Sequence, residues 1–346
     1  MKTGGRFESS SGVLTDLIAR DAIRYGDPCS FSGLTVVPVF ACRPAPFRYT
    51  LLAEAVASGV VTVQEVGGGR VPDLRVVNKG ALPLLLVDGE HLVGVKQNRV
   101  LNTTLLVPEK SSLDVPVSCV EAGRWSSPLH EARPASPALF VAARARKAER
   151  VTASVRATGR PFADQHEIWD DVATMMDALS AYSPTAAMHG AYASRGAELG
   201  DYLTHLPCRT GQTGAVVAVR GRIVCADVFD HAETLAGLWD RLVPSYAVEA
   251  LAGRDPDRSG PGVKGPEVTA SDAAAFLRSA LDATLTEHPA VGRGRDLRLT
   301  GAGLAGAALE VEGTILHLAL FRVDDRRDVS LDPRFATLGE RRRRVM

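Results

Sequence analysis

Residues 88–125, DGEHLVGVKQNRVLNTTLLVPEKSSLDVPVSCVEAGRW, bring Glu90, Lys96, Gln97, Asn98, Arg99, Cys119, Glu121, Arg124 and Trp125 within thirty-eight positions. Polar groups this dense between apolar runs point to a site and not to a solvated face. Along Leu113–Glu121 the odd positions Leu113, Val115, Val117 and Cys119 share one face of a strand, and Glu121 continues it. A carboxylate that ends an apolar row loses water on one side, which moves its pKa up toward acid–base work. Arg124 offers the opposite outcome, a pairing that keeps Glu121 ionised, and both remain open. Glu90 supplies a second carboxylate just past the Asp88-Gly89 turn.

Lys96, Gln97, Asn98 and Arg99 stand on consecutive positions. Arginine and glutamine carry forked donors that suit a carboxylate, a phosphate or an amide-like base edge. Cys119 would act as a nucleophile only beside a base able to make its thiolate, and no histidine adjoins it. Packing as a small hydrophobe is the stronger reading for that thiol. Trp125 can stack on a planar ring or plug the core.

A β framework has to hold these groups. Strand-like runs fall at Leu34–Phe40, Val60–Val66, Leu74–Val77, Leu82–Val87, His91–Val95, Val100–Val107 and Leu113–Val120. Pro38 marks the first as an edge strand or bulge. A helix is expected over 13–25, stopped by Gly26, and another near Leu51–Ser58. Three segments (LLLV-DG-EHLV, VVAV-RG-RIVC and ALEV-EG-TILH) share the form of a hairpin with glycine second in the turn.

The middle of the chain turns helical. Ser136-Pro137 resembles an N-cap with proline at the first helical position, opening a helix that runs toward Gly159. Its Arg144, Arg146, Lys147 and Arg150 suit a solvated basic face. Asp164 and Glu167 suggest a capping box before the buried stripe Ile168, Val172, Met175, Met176 and Leu179. Further on come a hairpin over 214–229, a helix capped by Asp230 and Glu233 and ended or kinked at Pro244, a loop at 253–266, a helix at 272–287 and two final strands. GAGLAG at 301–306 fits GxGxxG but precedes a hairpin and not a helix, so it is no dinucleotide fingerprint. His317, on an apolar strand face, suits a satisfied core histidine. The expected class is α+β: a β-rich N-terminal half of hairpins and antiparallel sheet with helices packed on it, then a mixed α/β C-terminal half. The expected divisions are 1–28 (helical), 29–130 (β-rich, carrying the polar motif), 131–330 (helices and hairpins packed on it as one unit) and 331–346 (basic tail).

Lysine plus arginine equals aspartate plus glutamate at 40 each. No global field therefore attracts nucleic acid or an anionic membrane. Five cysteines, at 29, 42, 119, 208 and 225, are scattered without a CxxC pair. Neither a disulfide framework nor a zinc site is expected, and no metal is assigned. The apolar run Ala81–Val87 is far short of the roughly 20 residues of a membrane span. With no signal-like N-terminus, a soluble cytoplasmic protein is expected.

GE-x-L-x-G-x-KQ-x-R, followed by VPVSCVEAGRW, resembles a family named for association with ADP-ribosylglycohydrolases and rhodanese/phosphatase-superfamily proteins. QHEIW around Gln165 and the segment 214–246 extend the likeness over most of the chain. The resemblance implies a role in ADP-ribose or other NAD-derived metabolism, with an ADP-ribose-processing enzyme as partner. It brings neither a cofactor nor a reaction. Its motif residues here are Glu90, Gln97, Arg99, Cys119, Glu121, Arg124 and Trp125, with Gln165 and Asp227 beside them. Two functions follow as expectations. One is hydrolysis or transfer on a nucleotide-like ligand, with Glu121 and Glu90 as acid–base groups, Arg99 and Arg124 as anion clamp and Gln97 as orienting donor. The other is a non-catalytic nucleotide-binding or partner-docking module.

Overall fold

A computed structural model describes residues 10–19, 22–41, 44–67, 72–124, 131–253 and 266–323. The described chain opens with α1 (Ser10–Ile18), β1 (Ile23–Tyr25), β2 (Cys29–Phe31) and β3 (Leu34–Ala41). Next come β4 (Thr50–Leu51), α2 (Leu52–Ala57), β5 (Val61–Glu65), β6 (Asp73–Asn78), β7 (Leu84–Leu86), β8 (His91–Val93) and β9 (Arg99–Leu101). β10 (Leu105–Val107), β11 (Ser111–Cys119) and β12 (Arg133–Ala135) complete that β region. Four helices follow: α3 (Val141–Thr158), α4 (Gln165–Ala178), α5 (Met188–Ala193) and α6 (Gly196–His205). The rest is β13 (Gly214–Val219), β14 (Arg222–Phe229), α7 (Ala232–Ala252), α8 (Ala270–Arg278), β15 (Thr284–Pro289), β16 (Arg295–Gly301), β17 (Leu304–Val311) and β18 (Thr314–Arg322). The class is α+β.

The largest sheet has nine strands in the order β1-β3-β13-β14-β18-β17-β16-β15, with β2 also on β3. Side-chain alternation splits it into two faces. Val37, Val39, Val216, Ala226, Val228 and Leu320 pack with α1 and α8. Val36, Val217, Cys225, Phe229 and Phe321 pack with α3 and α7. The polar motif belongs to a separate system: a six-stranded sheet, β12-β8-β9-β11-β6-β5, and a three-stranded one, β10-β7-β4. These enclose their own core of Leu74, Leu92, Leu101, Val115 and Val117. β1, β2 and β3 thus join the sheet formed by the C-terminal strands.

Several local expectations change. α1 ends at Ile18, and Ile23–Tyr25 form a strand. β3 is an interior strand, yet Pro38 falls where β1 ends and β2 has not begun, so its missing N–H leaves no ladder bond unmade on that side. Asp88-Gly89 makes no hairpin. β7 pairs β10 and β4 while β8 pairs β9 and β12, so the turn carries the chain from one sheet to the other. The other two glycine turns do close hairpins, β13–β14 and β17–β18.

α3 begins at Val141 and not at Pro137. Ser136 serves α7 instead. Pro244 lies inside that helix, which continues unbroken to Ala252. A proline leaves the carbonyl four residues back without its donor, and here Ser136 Oγ donates to Asp240 O at 2.9 Å. Ala138 N donates to the next carbonyl, Arg241 O, at 3.1 Å. The N-cap of α7 is His231 with no side-chain bond, so Asp230 and Glu233 do not cap it. Asp164 does cap α4, while Glu167 pairs with Arg150. Thr284 and Leu285 belong to β15 and not to a helix. The loop residues 254–265 and the tail 331–346 lie outside the described residues, as does Trp125. No helix among the described residues is long and apolar enough to cross a membrane.

Candidate functional site

Apolar β11 ends at Cys119, and the chain then turns so that Glu121 meets the start of β9. Glu121 Oε2 accepts from Arg124 Nη2 at 2.7 Å and from Asn98 N at 3.2 Å. Its Oε1 accepts from Thr185 Oγ1 at 2.7 Å. Arg124 also donates to Val95 O at 2.9 Å and to Asn98 Oδ1 at 3.0 Å. Burial pushes the Glu121 carboxyl up, but the bonds from Arg124, Thr185 and Asn98 outweigh it and hold the group below the usual carboxylate range. Of the two outcomes open for this residue, the ionised one stands.

Gln165, in the first turn of α4, locks onto the end of β11. Its Oε1 accepts from Cys119 N at 2.7 Å, and its Nε2 donates to Cys119 O at 2.6 Å. The amide replaces the strand that would otherwise pair there. Cys119 is fully buried, and that burial pushes its thiol up to about 11. A thiol so shifted is not a ready nucleophile. Arg99 faces the same side; its Nη1 donates to Gln97 Oε1 at 3.2 Å and its Nη2 lies 3.7 Å from Glu65 Oε1. Gln97, Asn98 and Arg99 are all buried, so the run is not an exposed polar bulge.

Glu90 stands apart from this group. Its Oε2 accepts from Val87 N at 2.8 Å and its Oε1 from Arg241 Nη1, on α7, at 3.0 Å. Burial raises its pKa against those bonds. Glu90 sits beside the Leu101 end of β9 and Glu121 beside the Asn98 end. Three residues of strand separate the ends, roughly 10 Å. The structure therefore gathers Gln97, Arg99, Cys119, Glu121, Arg124 and Gln165, and places Glu90 in a different neighbourhood.

His91 joins the first group without a sequence signal. It is fully buried on β8, and neither ring nitrogen has a hydrogen-bond partner among the described residues. Burial, reinforced by His189 on α5 and opposed by Glu121, pushes it down to about 3. The imidazole is neutral at any physiological pH.

α7, whose Arg241 holds Glu90, leads to a second polar assembly, wholly interior, where β14, β18, α3, α7 and the Asp88-Gly89 turn meet. Arg144 makes two bonds to Asp227, at 2.9 and 2.6 Å, and reaches Asp88 at 3.3 Å. Tyr246 OH donates to Asp227 at 2.6 Å. His317 Nε2 lies 3.1 Å from Asp227 and its Nδ1 2.7 Å from Thr104 Oγ1. Lys147 pairs with Asp88 and donates to Leu101 O at 2.9 Å and Asn102 O at 3.2 Å. Arg298 joins Asp296 at 2.6 Å and Thr103 at 2.8 Å. Despite burial, Arg144 and His317 hold the Asp227 carboxyl far below its ordinary range. Arg144, Lys147 and Arg298 face Asp88, Asp227 and Asp296, one charge for one.

This corrects the solvated basic face: Arg144 and Lys147 are fully buried. A signal was available, since both fall at three- and four-residue steps with Val141, Ala148, Val151 and Val155 on the buried stripe of α3. Arg146 and Arg150 pair with Asp171 of α4. His317 is the satisfied core histidine expected. Among the described residues no three histidine, cysteine, aspartate or glutamate side chains converge as metal ligands do.

Mainly antiparallel sheets flanked by helices define an α+β domain in which Glu90, Gln97, Arg99, Cys119 and Glu121 are interior. The chain belongs to the ARG and Rhodanese-Phosphatase-superfamily-associated Protein domain family, whose model matches residues 22–321. No curated protein and no solved structure matches it.

Proposed function

We propose that the chain is a non-catalytic binding module for a nucleotide-like small molecule, ADP-ribose or another NAD-derived compound. It would work beside an ADP-ribose-processing enzyme. One observation carries this: buried polar atoms without a hydrogen-bond partner among the described residues flank the motif, namely both ring nitrogens of His91, Nε1 of Trp169 and Oε2 of Glu65. Folded proteins leave few such atoms, and each calls for an explanation, which a bound ligand would supply. Hydrolysis or transfer has less support. Glu121 is engaged on both oxygens, Glu90 lies elsewhere, and the arginines of the expected anion clamp hold protein carboxylates.

The test is a thermal-shift screen against ADP-ribose, NAD, nicotinamide mononucleotide and AMP, with mass spectrometry of the recovered ligand. Binding raises Tm by mass action. The expected outcome is a shift with the ligand recovered intact, and equal recovery with Glu121→Gln. Conversion by the wild-type chain that disappears in Glu121→Gln would replace the module with an enzyme. No shift with any of the four removes the nucleotide reading.

A further inference from the structure

We propose that the chain cuts its own backbone once, between Thr103 and Thr104, with the Thr104 hydroxyl as nucleophile and His317 as its base. This is a reaction of the chain on itself, independent of the ligand reading above, and either can fail alone.

Nucleophile and base are already in contact. Residues 102–104 join β9 to β10 and meet β16 and β18 of the largest sheet through Arg298 and His317. Asp227 is ionised and can only accept, so its 3.1 Å bond to His317 Nε2 uses a hydrogen on the ring. In the neutral imidazole Nδ1 then carries the lone pair, and it lies 2.7 Å from Thr104 Oγ1. Asp88 N donates to the same oxygen at 3.0 Å, which leaves the hydroxyl's own hydrogen to point at Nδ1. A carboxylate, an imidazole and a hydroxyl in that order make an activated nucleophile.

Burial limits what this hydroxyl can attack. Thr103, Thr104, Asp227 and His317 are all buried, which bars a bulky substrate. The carbonyl carbon of Thr103 needs no entry, because the peptide bond holds it where Oγ1 closes a five-membered ring on it. Two cations stand beside that peptide. Lys147 Nζ donates to Asn102 O at 3.2 Å, and Arg298 Nη2 to Thr103 Oγ1 at 2.8 Å. Both favour the negative charge that builds on Thr103 O during attack.

The steps balance without a cofactor or an oxidant. Thr104 Oγ1 gives its proton to His317 Nδ1 and bonds to the Thr103 carbonyl carbon. The peptide C–N bond breaks, and the nitrogen takes the proton from His317. An ester now links Thr103 to Thr104 Oγ1, and Thr104 has a free amine. Water hydrolyses the ester, restoring the hydroxyl and leaving a carboxylate on Thr103. Thr104 keeps 7 % of its surface open, which gives that water a way in.

The experiment holds the purified full chain near physiological temperature for days and follows it by intact-mass spectrometry. The single mass should give way to two, residues 1–103 and 104–346, summing to the parent plus one water. The larger piece should begin Thr-Leu-Leu-Val on N-terminal sequencing. Hydroxylamine splits esters and should speed the cut; the chain has no Asn-Gly pair, the peptide that reagent also attacks. Thr104→Val keeps the shape without Oγ1 and should stay whole, whereas Thr104→Ser keeps the hydroxyl and should be cut. His317→Gln should slow the cut at least about a hundredfold. The valine and serine variants decide the matter if the histidine variant misfolds. A wild-type chain that stays one mass, with and without hydroxylamine, would overturn the proposal. So would a cut at this bond that persists in Thr104→Val.

Discussion

Arg144→Met is the most demanding perturbation of the interior. Arg144 and Asp227 are both fully buried, and Arg144 gives Asp227 two bonds, at 2.6 and 2.9 Å. Removing the guanidinium leaves a buried carboxylate with only Tyr246 and His317 beside it. Breaking one side of such a pair costs about 3–5 kcal/mol. At about 2.1 cal/mol/K per residue, the 346-residue chain unfolds with about 0.7 kcal/mol/K, so Tm should fall by about 4–7 °C. The loss should also depend on pH. In the parent chain Asp227 is held far below its ordinary value, so its contribution is present above about pH 4 and disappears only as pH falls through the much lower folded value. Without Arg144, burial drives the same carboxyl up, and acid then relieves the variant by neutralising it. Urea denaturation at about pH 7.5 and about pH 5 reads both effects, with the gap between parent and variant narrowing at the lower pH. A double variant with Asp227→Asn should lose less than the two single losses added. A cost under about 1 kcal/mol, or a gap that does not narrow, would refute the view that this pair is a sealed charge contact.

Three further outcomes follow from single contacts. Because burial holds His91 neutral down to about pH 3 while an unfolded histidine titrates near 6.5, stability should decline as pH drops below about 6.5, and His91→Phe should flatten that limb in pH-dependent denaturation. Gly89→Ala places a Cβ 3.2 Å from Arg144 Cδ at a φ of 81°, and should cost about 1–3 kcal/mol by urea melts. Gln165→Ala strips both bonds from the Cys119 peptide, and should cost about 1–3 kcal/mol with faster amide exchange at Cys119 and Val120.

Much of the architecture was legible locally. Alternating runs announced the strands, Arg220-Gly221 and Glu312-Gly313 announced their hairpins, and the stripe from Ile168 to Leu179 announced α4. What escaped was decided by distant partners. Asp88-Gly89 has the chemistry of a hairpin turn, yet the strands it joins pair elsewhere. Pro244 should break a helix unless the residues around 136 satisfy the freed carbonyls. Arg144 and Lys147 look solvated until Asp227 arrives from β14 and Asp88 from the turn after β7. Gln97, Arg99, Glu121, Arg124 and Gln165 were legible as a group, because they crowd one strand pair or recur in the motif. His91 and Trp169 were not, because what distinguishes them is an unmet hydrogen bond, and no spacing records that.

The place of β18 in the largest sheet carries a consequence for assembly. Last in the described chain, it lies not at an edge but between β14 and β17, and it delivers His317 to Asp227. Until residues 314–322 emerge from the ribosome, β14 keeps a bare edge of backbone donors and acceptors, and such an edge invites pairing with other chains. Closing the sheet then requires a contact spanning about ninety residues, the kind of non-local step that slows folding. A nascent chain halted before β18 should therefore be prone to aggregate and easily digested, and the addition of nine residues should change it into a protease-resistant domain in one step.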